Sequence, residues 1–470
     1  SAVIAARFPS RPVRRAVLLN PPGRELYLRD YYCSKTTKSN YLYPPIDLVV
    51  LSGSLSRDFE VRVLDALAER LDPPRALERL ASLAPDAIVS LVGAVSWEED
   101  RAFLEEATRR TGALLLATGD VFRERAPETL AANPSIDGAI LSFANDDAGA
   151  ILRGETEAVE SAVFREGGSV RERPFHPARG AFHVPTPRHD LFPRRGYRFS
   201  FARRRRFVSM LTDFGCPYPC TFCIMGTLGF ATRPLADVLE ELAFVRSLGV
   251  REIFFLDQTF GVQADRARAL CASMAGGGWS WTAFTRPDRA ASGLFEAMAG
   301  GGCHTVILGV ESADDARLRE YRKGYTTEEV REAFARARRA GLRTVGTFLI
   351  GGPEDDEDSF RRAVEFAVEL RCDFASFNVA VPRFGTPWRS SLVREGLADP
   401  DEPSMDQAGE RIAMPTRFLT REEVLRAKKR AIRSFYLRPS YLARRLLALR
   451  TLHEARSQLA EGLALLARNR

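Results

Sequence analysis

Long apolar runs are missing from this chain. None approaches the roughly 20 residues that a membrane-spanning helix needs, so no transmembrane segment is expected. The opening stretch SAVIAARFPSRPVRR holds no apolar core of signal-peptide length, which makes a cytoplasmic protein the expectation. Cysteine is scarce and odd in number, seven in 470 residues, which argues against a disulfide framework. Histidine is scarcer still, five in all and none before His176. With 45% hydrophobic residues, 27% charged residues and a mean hydropathy of −0.18, the composition excludes a disordered or collagen-like chain. The length suggests two or three domains.

The net charge of +7 is unevenly spread. From Arg417 to the end there are 14 Arg and Lys against 4 Asp and Glu, so that stretch carries +10 and the remainder −3. A basic tail suits nucleic acid, anionic lipid or an acidic substrate. Here the basic residues recur at helix spacing among leucines, which reads as a solvated helical face, and no nucleic-acid partner is expected. The run from Arg203 to Arg206 reads as solvated linker.

Residues 1–155 alternate short apolar runs with amphipathic stretches. Strands are predicted at 15–19, 60–64, 87–91, 113–117 and 139–141, with helices at 46–55, 74–83, 97–110 and 126–132. That is the pattern of an α/β, doubly wound parallel sheet, whose ligands bind beyond the carboxyl ends of the strands. Those ends are Asn20-Pro21-Pro22-Gly23, residues 93–97, Thr118-Gly119-Asp120 and Ser142-Phe143. From 156 to 206 the periodicity fades and Pro, Arg and His become frequent, which reads as a linker. Alternation returns with strands at 207–212, 252–256, 280–284, 305–310, 343–350 and 373–381, helices lying between them. Residues 207–390 are thus expected to form a partial (β/α)6 barrel, and 391–470 a helical C-terminal region.

Three of the seven cysteines fall in one short stretch, Cys216-Pro-Tyr-Pro-Cys220-Thr-Phe-Cys223, directly after the first barrel strand. Three thiolates on one loop can ligate three irons of a cubane cluster and leave the fourth iron for a small molecule. Zinc is the rival, but a structural zinc site closes with four ligands, and no histidine or fourth cysteine lies nearby in sequence.

With this loop the sequence resembles the radical S-adenosylmethionine (SAM) enzymes. The C-x3-C-x2-C spacing, the aromatic Phe222 before the last cysteine and the position after the first barrel strand all match. The resemblance implies a 4Fe–4S cluster on Cys216, Cys220 and Cys223, and SAM bound along the barrel. Asp257 and Gln258 stand where relatives hold the SAM amino group, without the Gly-Gly-Glu form that many of them have. Arg286 follows the third strand, and Glu311 takes the place of the acidic residue that reaches the SAM ribose. Gly351 and Gly352 would let adenine approach the backbone. Pro382-Arg383-Phe384-Gly385-Thr386-Pro387 is similar to the family's P-x-x-G-T-P.

The α/β domain ahead of the barrel resembles the cobalamin-dependent (class B) branch, which holds C- and P-methyltransferases and the anaerobic magnesium-protoporphyrin cyclase. Residues 419–423 and 435–439 resemble that branch as well. Cobalamin is then expected against Asn20, Pro21, Gly93, Val95, Ser96, Trp97, Thr118, Gly119 and Ser142. The axial histidine of D-x-H-x-x-G is absent, and Ser96 and Trp97 are candidates for the lower cobalt face. Methylthiotransferases share this layout but need three further cluster cysteines near the N-terminus, where only Cys33 stands.

The resemblance implies C-methylation: a 5′-deoxyadenosyl radical activates a substrate C–H bond and methylcobalamin donates the methyl group. The alternative is oxidative cyclisation or rearrangement without methyl transfer. Tyr31, Tyr32 and Cys33, in an aromatic loop after the first strand, are candidate proton or hydrogen donors. The expected partners are a small-molecule or lipid substrate and an electron donor such as flavodoxin or ferredoxin.

Overall fold

The computed structural model describes residues 12–31, 33–402, 406–408, 411–448 and 452–468, so Tyr32 lies outside the described residues. The chain divides into two compact units. One combines the segment ending at Thr36 with Leu42–Tyr197 and Leu228–Leu248; the other combines Thr37–Tyr41, Arg198–Thr227 and the chain from Gly249 onward.

The first unit is built on a parallel sheet of β1 (Arg15–Asn20), β2 (Glu60–Asp65), β3 (Ala87–Leu91), β4 (Leu114–Thr118) and β5 (Gly138–Ile140). Their spatial order is β2-β1-β3-β4-β5, all parallel. This is a doubly wound order that reverses between β1 and β3, so the loops leaving those two strands diverge and leave a crevice between them. The central strands β3 and β4 are buried and nearly continuous in apolar residues, as sheets covered on both faces require. Connecting helices are α1 (Ile46–Leu55), α2 (Pro73–Ser82), α3 (Trp97–Thr111), α4 (Ala126–Ala132) and α5 (Asp147–Arg153). Helix α3 shows how local chemistry sets a boundary. Glu98, Glu99 and Asp100 complement the dipole at its first turn, Arg109 and Arg110 at its last, and Gly112 ends it at φ 66°.

The sheet does not stop at β5. Residues 156–206, expected as linker, supply β6 (Ala162–Glu166) and β7 (Ser169–Arg173), which extend the sheet antiparallel beyond β5. Gly167 and Gly168, both at positive φ (57° and 84°), make the two-residue turn between them. That Gly-Gly between alternating residues is a hairpin signal, masked in sequence by the charged side chains of the exposed edge.

The second unit carries six parallel strands in sequential order: β8 (Phe207–Met210), β9 (Glu252–Phe255), β10 (Ser280–Thr285), β11 (Cys303–Glu311), β12 (Arg343–Ile350) and β13 (Phe374–Val379). Helices α7 (Ala264–Met274), α8 (Leu294–Gly300), α9 (Thr327–Arg339) and α10 (Glu357–Glu369) connect β9 to β13, while α6 (Leu235–Ser247), between β8 and β9 in sequence, is counted with the first unit. Phe255, Phe260 and Trp281 form an aromatic knot in the core, and the Trp281 indole donates to the Gly301 carbonyl at 2.8 Å. Helix α11 (Arg421–Tyr436) covers the last strand: the Tyr436 hydroxyl donates to the Ala375 carbonyl (2.8 Å) and accepts from its N–H (3.1 Å). A free strand edge is thereby satisfied by a side chain. Helices α12 (Pro439–Leu447) and α13 (Leu452–Arg468) follow.

Candidate functional site

In the second unit, β8 leads through the extended residues 213–215 into the cysteine loop. The turn is fixed by Asp257, which is fully buried at the end of β9 and accepts from the Thr212 N–H (2.6 Å), the Thr212 hydroxyl (2.9 Å) and the Asp213 N–H (2.8 Å). Burial raises the pKa of both Asp257 and its neighbour Asp213, while Arg266, 3.1 Å from Asp213, works against the rise. Asp257 is thus spent on holding the loop's entry. Gln258 is half-buried beside it, its amide donating to the Leu256 carbonyl at 3.4 Å.

Cys216, Cys220 and Cys223 are free thiols on this loop, each partly accessible. Burial pushes the Cys223 thiol up to about 12 and raises that of Cys216, so as bare thiols both resist ionisation. Two cations stand ready to offset this. Arg286, just beyond β10, reaches to 3.9 Å from the Cys220 sulfur and lies over the Tyr218 ring with its guanidinium carbon 3.6 Å from the centroid. Lys323 lies 5.5 Å from the Phe222 ring centre and pairs with Glu311 at 3.0 Å. Burial opposes the Lys323 charge, but Glu311 and its anionic neighbours raise its pKa well above the ordinary lysine value. Arg286 also donates to the Lys323 carbonyl, which joins the two cations into one assembly.

Glu311 ends β11 in an unusual conformation. The strand register shifts between Gly309 and Glu311, and Glu311 sits at φ 64°, a left-handed value that costs energy for a residue with a side chain. A Cβ on Gly309 would fall 2.6 Å from the Glu311 carboxylate, so glycine leaves that carboxylate its room. At the end of β12, Gly351 takes φ 74°, and a Cβ on Gly352 would lie 2.7 Å from the Tyr321 hydroxyl. Phe222 packs edge-on against Tyr321 at 5.2 Å. In the Pro382–Pro387 segment, Gly385 takes φ 73°, and a Cβ there would lie 3.3 Å from Ile224, directly after the last cysteine of the loop. The structure therefore brings Phe222, Arg286, Glu311 and the cysteines together around the carboxyl ends of β8, β10 and β11. Lys323, Thr212 and Tyr325, whose ring centre lies 5.1 Å from the Arg286 guanidinium carbon, were not readable as site residues from sequence.

In the first unit, the strand ends are joined by one arginine. Arg29, 3% exposed, donates to Ser96 Oγ (3.1 Å), to both Asp100 oxygens (2.6 and 3.0 Å), to Asn20 Oδ1 (3.0 Å) and to the carbonyls of Pro21 (2.9 Å) and Pro22 (3.1 Å). Asn20 is further held by Asp65 at 3.0 Å. Asp120 forms a second hub, accepting from the Ser34 N–H (2.7 Å), the Ser34 hydroxyl (2.8 Å) and the Ala94 N–H (2.8 Å), and burial lifts its pKa to about 6. These contacts fix the loop after β3. Gly93 donates to Asp100 (3.0 Å) and Val95 to Ser34 Oγ (3.3 Å), while Ala94 and Val95 stay partly exposed. Gly119 is required at the end of β4, where a Cβ would lie 1.9 Å from the Val92 carbonyl oxygen.

Of the remaining expected residues, Thr118 buries a hydroxyl that has no hydrogen-bond partner, and Ser142 accepts from the Ala144 N–H at 3.2 Å. Ser96 is engaged by Arg29 and by Asp100 (2.7 Å), and Trp97 packs edge-on against Phe122 at 6.1 Å beside the core. Tyr31 is fully buried with its hydroxyl bonded to Arg123, and burial pushes its pKa up to about 12. Cys33 is half-buried, and its N–H donates to Asp30 at 2.6 Å. Arg29 and Ser34 are the first-unit residues that sequence reasoning missed; both sit in an irregular loop with no motif.

Residues 211–367 match the Radical SAM superfamily. The chain is 29% identical over 416 residues to an uncharacterized methyltransferase of Pyrococcus horikoshii, covering 85% of this chain and 89% of that one. It is 24% identical over 369 residues to the cytidylyl-2-hydroxyethylphosphonate methyltransferase of Streptomyces wedmorensis, covering 73% and 68%. Among solved structures, the radical S-adenosylmethionine methyltransferase TsrM from Kitasatospora setae, with cobalamin and a 4Fe–4S cluster bound, matches with a TM-score of 0.65 at 19% identity over 83% of this chain and 80% of that one. The cobalamin-dependent S-adenosylmethionine radical enzyme OxsB, with aqua-cobalamin and S-adenosylmethionine bound, matches with a TM-score of 0.68 at 14% identity over 95% and 70%. At these identities the likeness is one of fold: a Rossmann-like unit followed by a partial barrel.

Proposed function

We propose that this chain, whose residues 211–367 match the Radical SAM superfamily, is a cobalamin-dependent methyltransferase acting on a small molecule. The observation that carries the reading is the three-cysteine loop at the carboxyl end of β8, set beside Arg286 and Lys323.

The residues fit the groups this function needs. The described residues hold no cluster of three or more His, Cys, Asp or Glu side chains suited to a single metal ion. Cysteines that ligate separate irons of a cubane stand farther apart than ligands sharing one ion. Glu311, held in a left-handed turn, and the tight backbone at Gly351 and Gly352 make a cradle for a nucleoside. In the first unit, the Thr118 hydroxyl, unpartnered among the described residues, lies at the carboxyl end of β4, and the partly exposed Ala94 and Val95 follow β3. No histidine precedes His176, so the loops at the carboxyl ends of β1 to β5 would offer cobalamin no imidazole.

When bound, the cluster with SAM supplies one-electron chemistry, and cobalamin supplies a transferable methyl group. The protein's part is to bind, orient and exclude water. Cys216, Cys220 and Cys223 would hold the irons, and Arg286 and Lys323 would stabilise the sulfurs as anions. Glu311 would accept from ribose hydroxyls, and Gly351 and Gly352 would present bare backbone to the adenine. Gly93, Val95, Thr118 and Gly119 would line the cobalamin face of the first unit. The electron would come from a donor such as flavodoxin or ferredoxin.

The test uses the full chain purified without oxygen, reconstituted with iron and sulfide and supplied with hydroxocobalamin. About four irons and one cobalt per chain are expected, with iron lost in Cys220→Ala. Turnover is expected to yield S-adenosylhomocysteine together with 5′-deoxyadenosine. Iron without cobalt would overturn methyl transfer from cobalamin and leave a radical rearrangement or oxidation.

A further inference from the structure

The short segment Thr37–Tyr41, in the loop after β1, is counted with the second unit rather than the first. From it Lys38 donates to Ser376 Oγ (2.7 Å), to the Phe377 carbonyl (3.0 Å) and to Asn378 Oδ1 (2.7 Å), all on β13. The Ser39 hydroxyl and the Asn40 N–H bond to Glu461 of α13, the latter at 3.2 Å, so the segment is pinned on both sides of the lysine.

Strand alternation says where the β13 side chains point. Phe377 packs against Phe435 of the covering helix α11 at 6.3 Å, so Ser376 and Asn378 project from the opposite face, into the barrel. Thr347 and Leu349 of β12 are their register partners and share that face. All four are half-buried, whereas Ala375, Phe377 and Val379 are buried. A filled barrel buries its inward side chains; here the inward ones are the more exposed, so the carboxyl half of the lumen is open. One layer nearer the amino end, register carries the same face from Phe374 through Val345 and Ile307 to Phe284. Phe284 lies 5.6 Å from Phe254, which stacks on Phe199 at 4.2 Å, and these rings floor the chamber.

Lys38 decides what the β13 wall offers. An ammonium only donates, so the atoms it meets must accept. The Asn378 carboxamide is thereby fixed with its NH2 group turned away from the lysine, where its contacts with the Phe348 and Ser376 carbonyls are long, 3.4 Å each. The Ser376 hydroxyl accepts from Lys38 and keeps its own proton to give, and the described residues offer no acceptor for it. Donation from the lysine polarises both groups and strengthens them as donors in turn. Two donors on one strand face, behind a cation, match the two oxygens of a carboxylate better than a hydroxyl or a second cation.

Resting on the function proposed above, we propose that Ser376 and Asn378, oriented by Lys38, bind the carboxylate of the substrate, an organic acid whose apolar body lies on the aromatic floor.

The experiment is equilibrium dialysis of the full chain, reconstituted with iron and sulfide, against 3-phenylpropionate and against 3-phenylpropanol, which has the same body without the charge. The acid is expected to bind roughly tenfold or more tighter than the alcohol. Asn378→Asp still accepts from Lys38 but sets an anionic acceptor where the donor was. It should weaken the acid roughly tenfold or more and leave the alcohol unchanged, with the circular dichroism of the wild type. Ser376→Ala, expected to act in the same direction, is the second variant should the first fail to fold. Acid and alcohol binding alike, acid binding undiminished in the folded variants, or no acid bound at about 10 mM overturns the proposal. Cobalt uptake read on the same protein keeps the two readings apart. Its absence with acid binding intact counts against the methyltransferase and not against this wall, and its presence without acid binding does the reverse.

Discussion

Arg29 and Asp100 meet at 2.6 Å inside the first unit, both side chains wholly withdrawn from solvent. Burial raises the Asp100 pKa even against the arginine beside it. The pair holds because the remaining donors of Arg29 are used as well, on Ser96, Asn20 and two proline carbonyls. Removing one partner of such a pair leaves a buried charge uncompensated, which costs about 3–5 kcal/mol. Arg29→Met should therefore lower the thermal midpoint by several degrees. Arg29→Lys should recover only part of it, because an ammonium cannot repeat the fork geometry. Cobalamin uptake, followed by absorbance, should weaken in both, since the loops after β1 and β3 share this anchor.

Gly119 offers a backbone test. A methyl group there would stand 1.9 Å from the Val92 carbonyl oxygen, an atom of the main chain that no rotamer change can move away. Gly119→Ala should cost about 1–3 kcal/mol by overpacking, read as a shifted urea midpoint. Gly112→Ala has open space but φ 66°, and should cost about 1 kcal/mol through backbone strain alone.

The parallel strands of both sheets were legible because most are short apolar runs between turn residues: 87–91 and 343–350 were placed to the residue. The cysteine loop was legible because its spacing is covalent information. The β6–β7 hairpin was not, since an exposed edge strand carries charged residues that blur its alternation. Arg29, Ser34 and Lys323 were not legible either. Their partners lie 71, 86 and 12 residues away, and only the folded chain brings a lone arginine beside Asp100 or a lysine beside Glu311. Asp257 was placed rightly at a strand end, but sequence does not say that neighbouring backbone N–H groups occupy its carboxylate.

Glu311 and Lys323 lie 3.0 Å apart, with side-chain exposures of 14% and 7%. Glu311→Gln keeps the shape and a hydrogen-bond acceptor but removes the charge. A hydrogen bond involving an ionised group is worth about 1.5–3 kcal/mol, so SAM affinity measured by equilibrium dialysis of the reconstituted protein should fall roughly ten- to a hundredfold. Iron content should stay unchanged. An undiminished affinity would remove Glu311 from the nucleoside cradle.

Asp355 gives a pH dependence with a definite sign. Its carboxylate accepts from the Gly352 N–H at 2.9 Å, and burial lifts its pKa to about 6. In the unfolded chain an aspartate titrates near about 4, so between roughly pH 4 and 6 the folded state holds the extra proton. Stability contributed by this group is therefore present at about pH 4 and is lost as pH rises toward about 6, by an amount of order 2 kcal/mol. Asp355→Asn still accepts from Gly352 and never ionises. Urea unfolding followed from pH 4 to 8 should show a shallower decline for the variant than for the wild type, with the variant equal or more stable at pH 7. Parallel profiles would mean that Asp355 titrates like an exposed aspartate, and that the loop after β12 opens to water in solution.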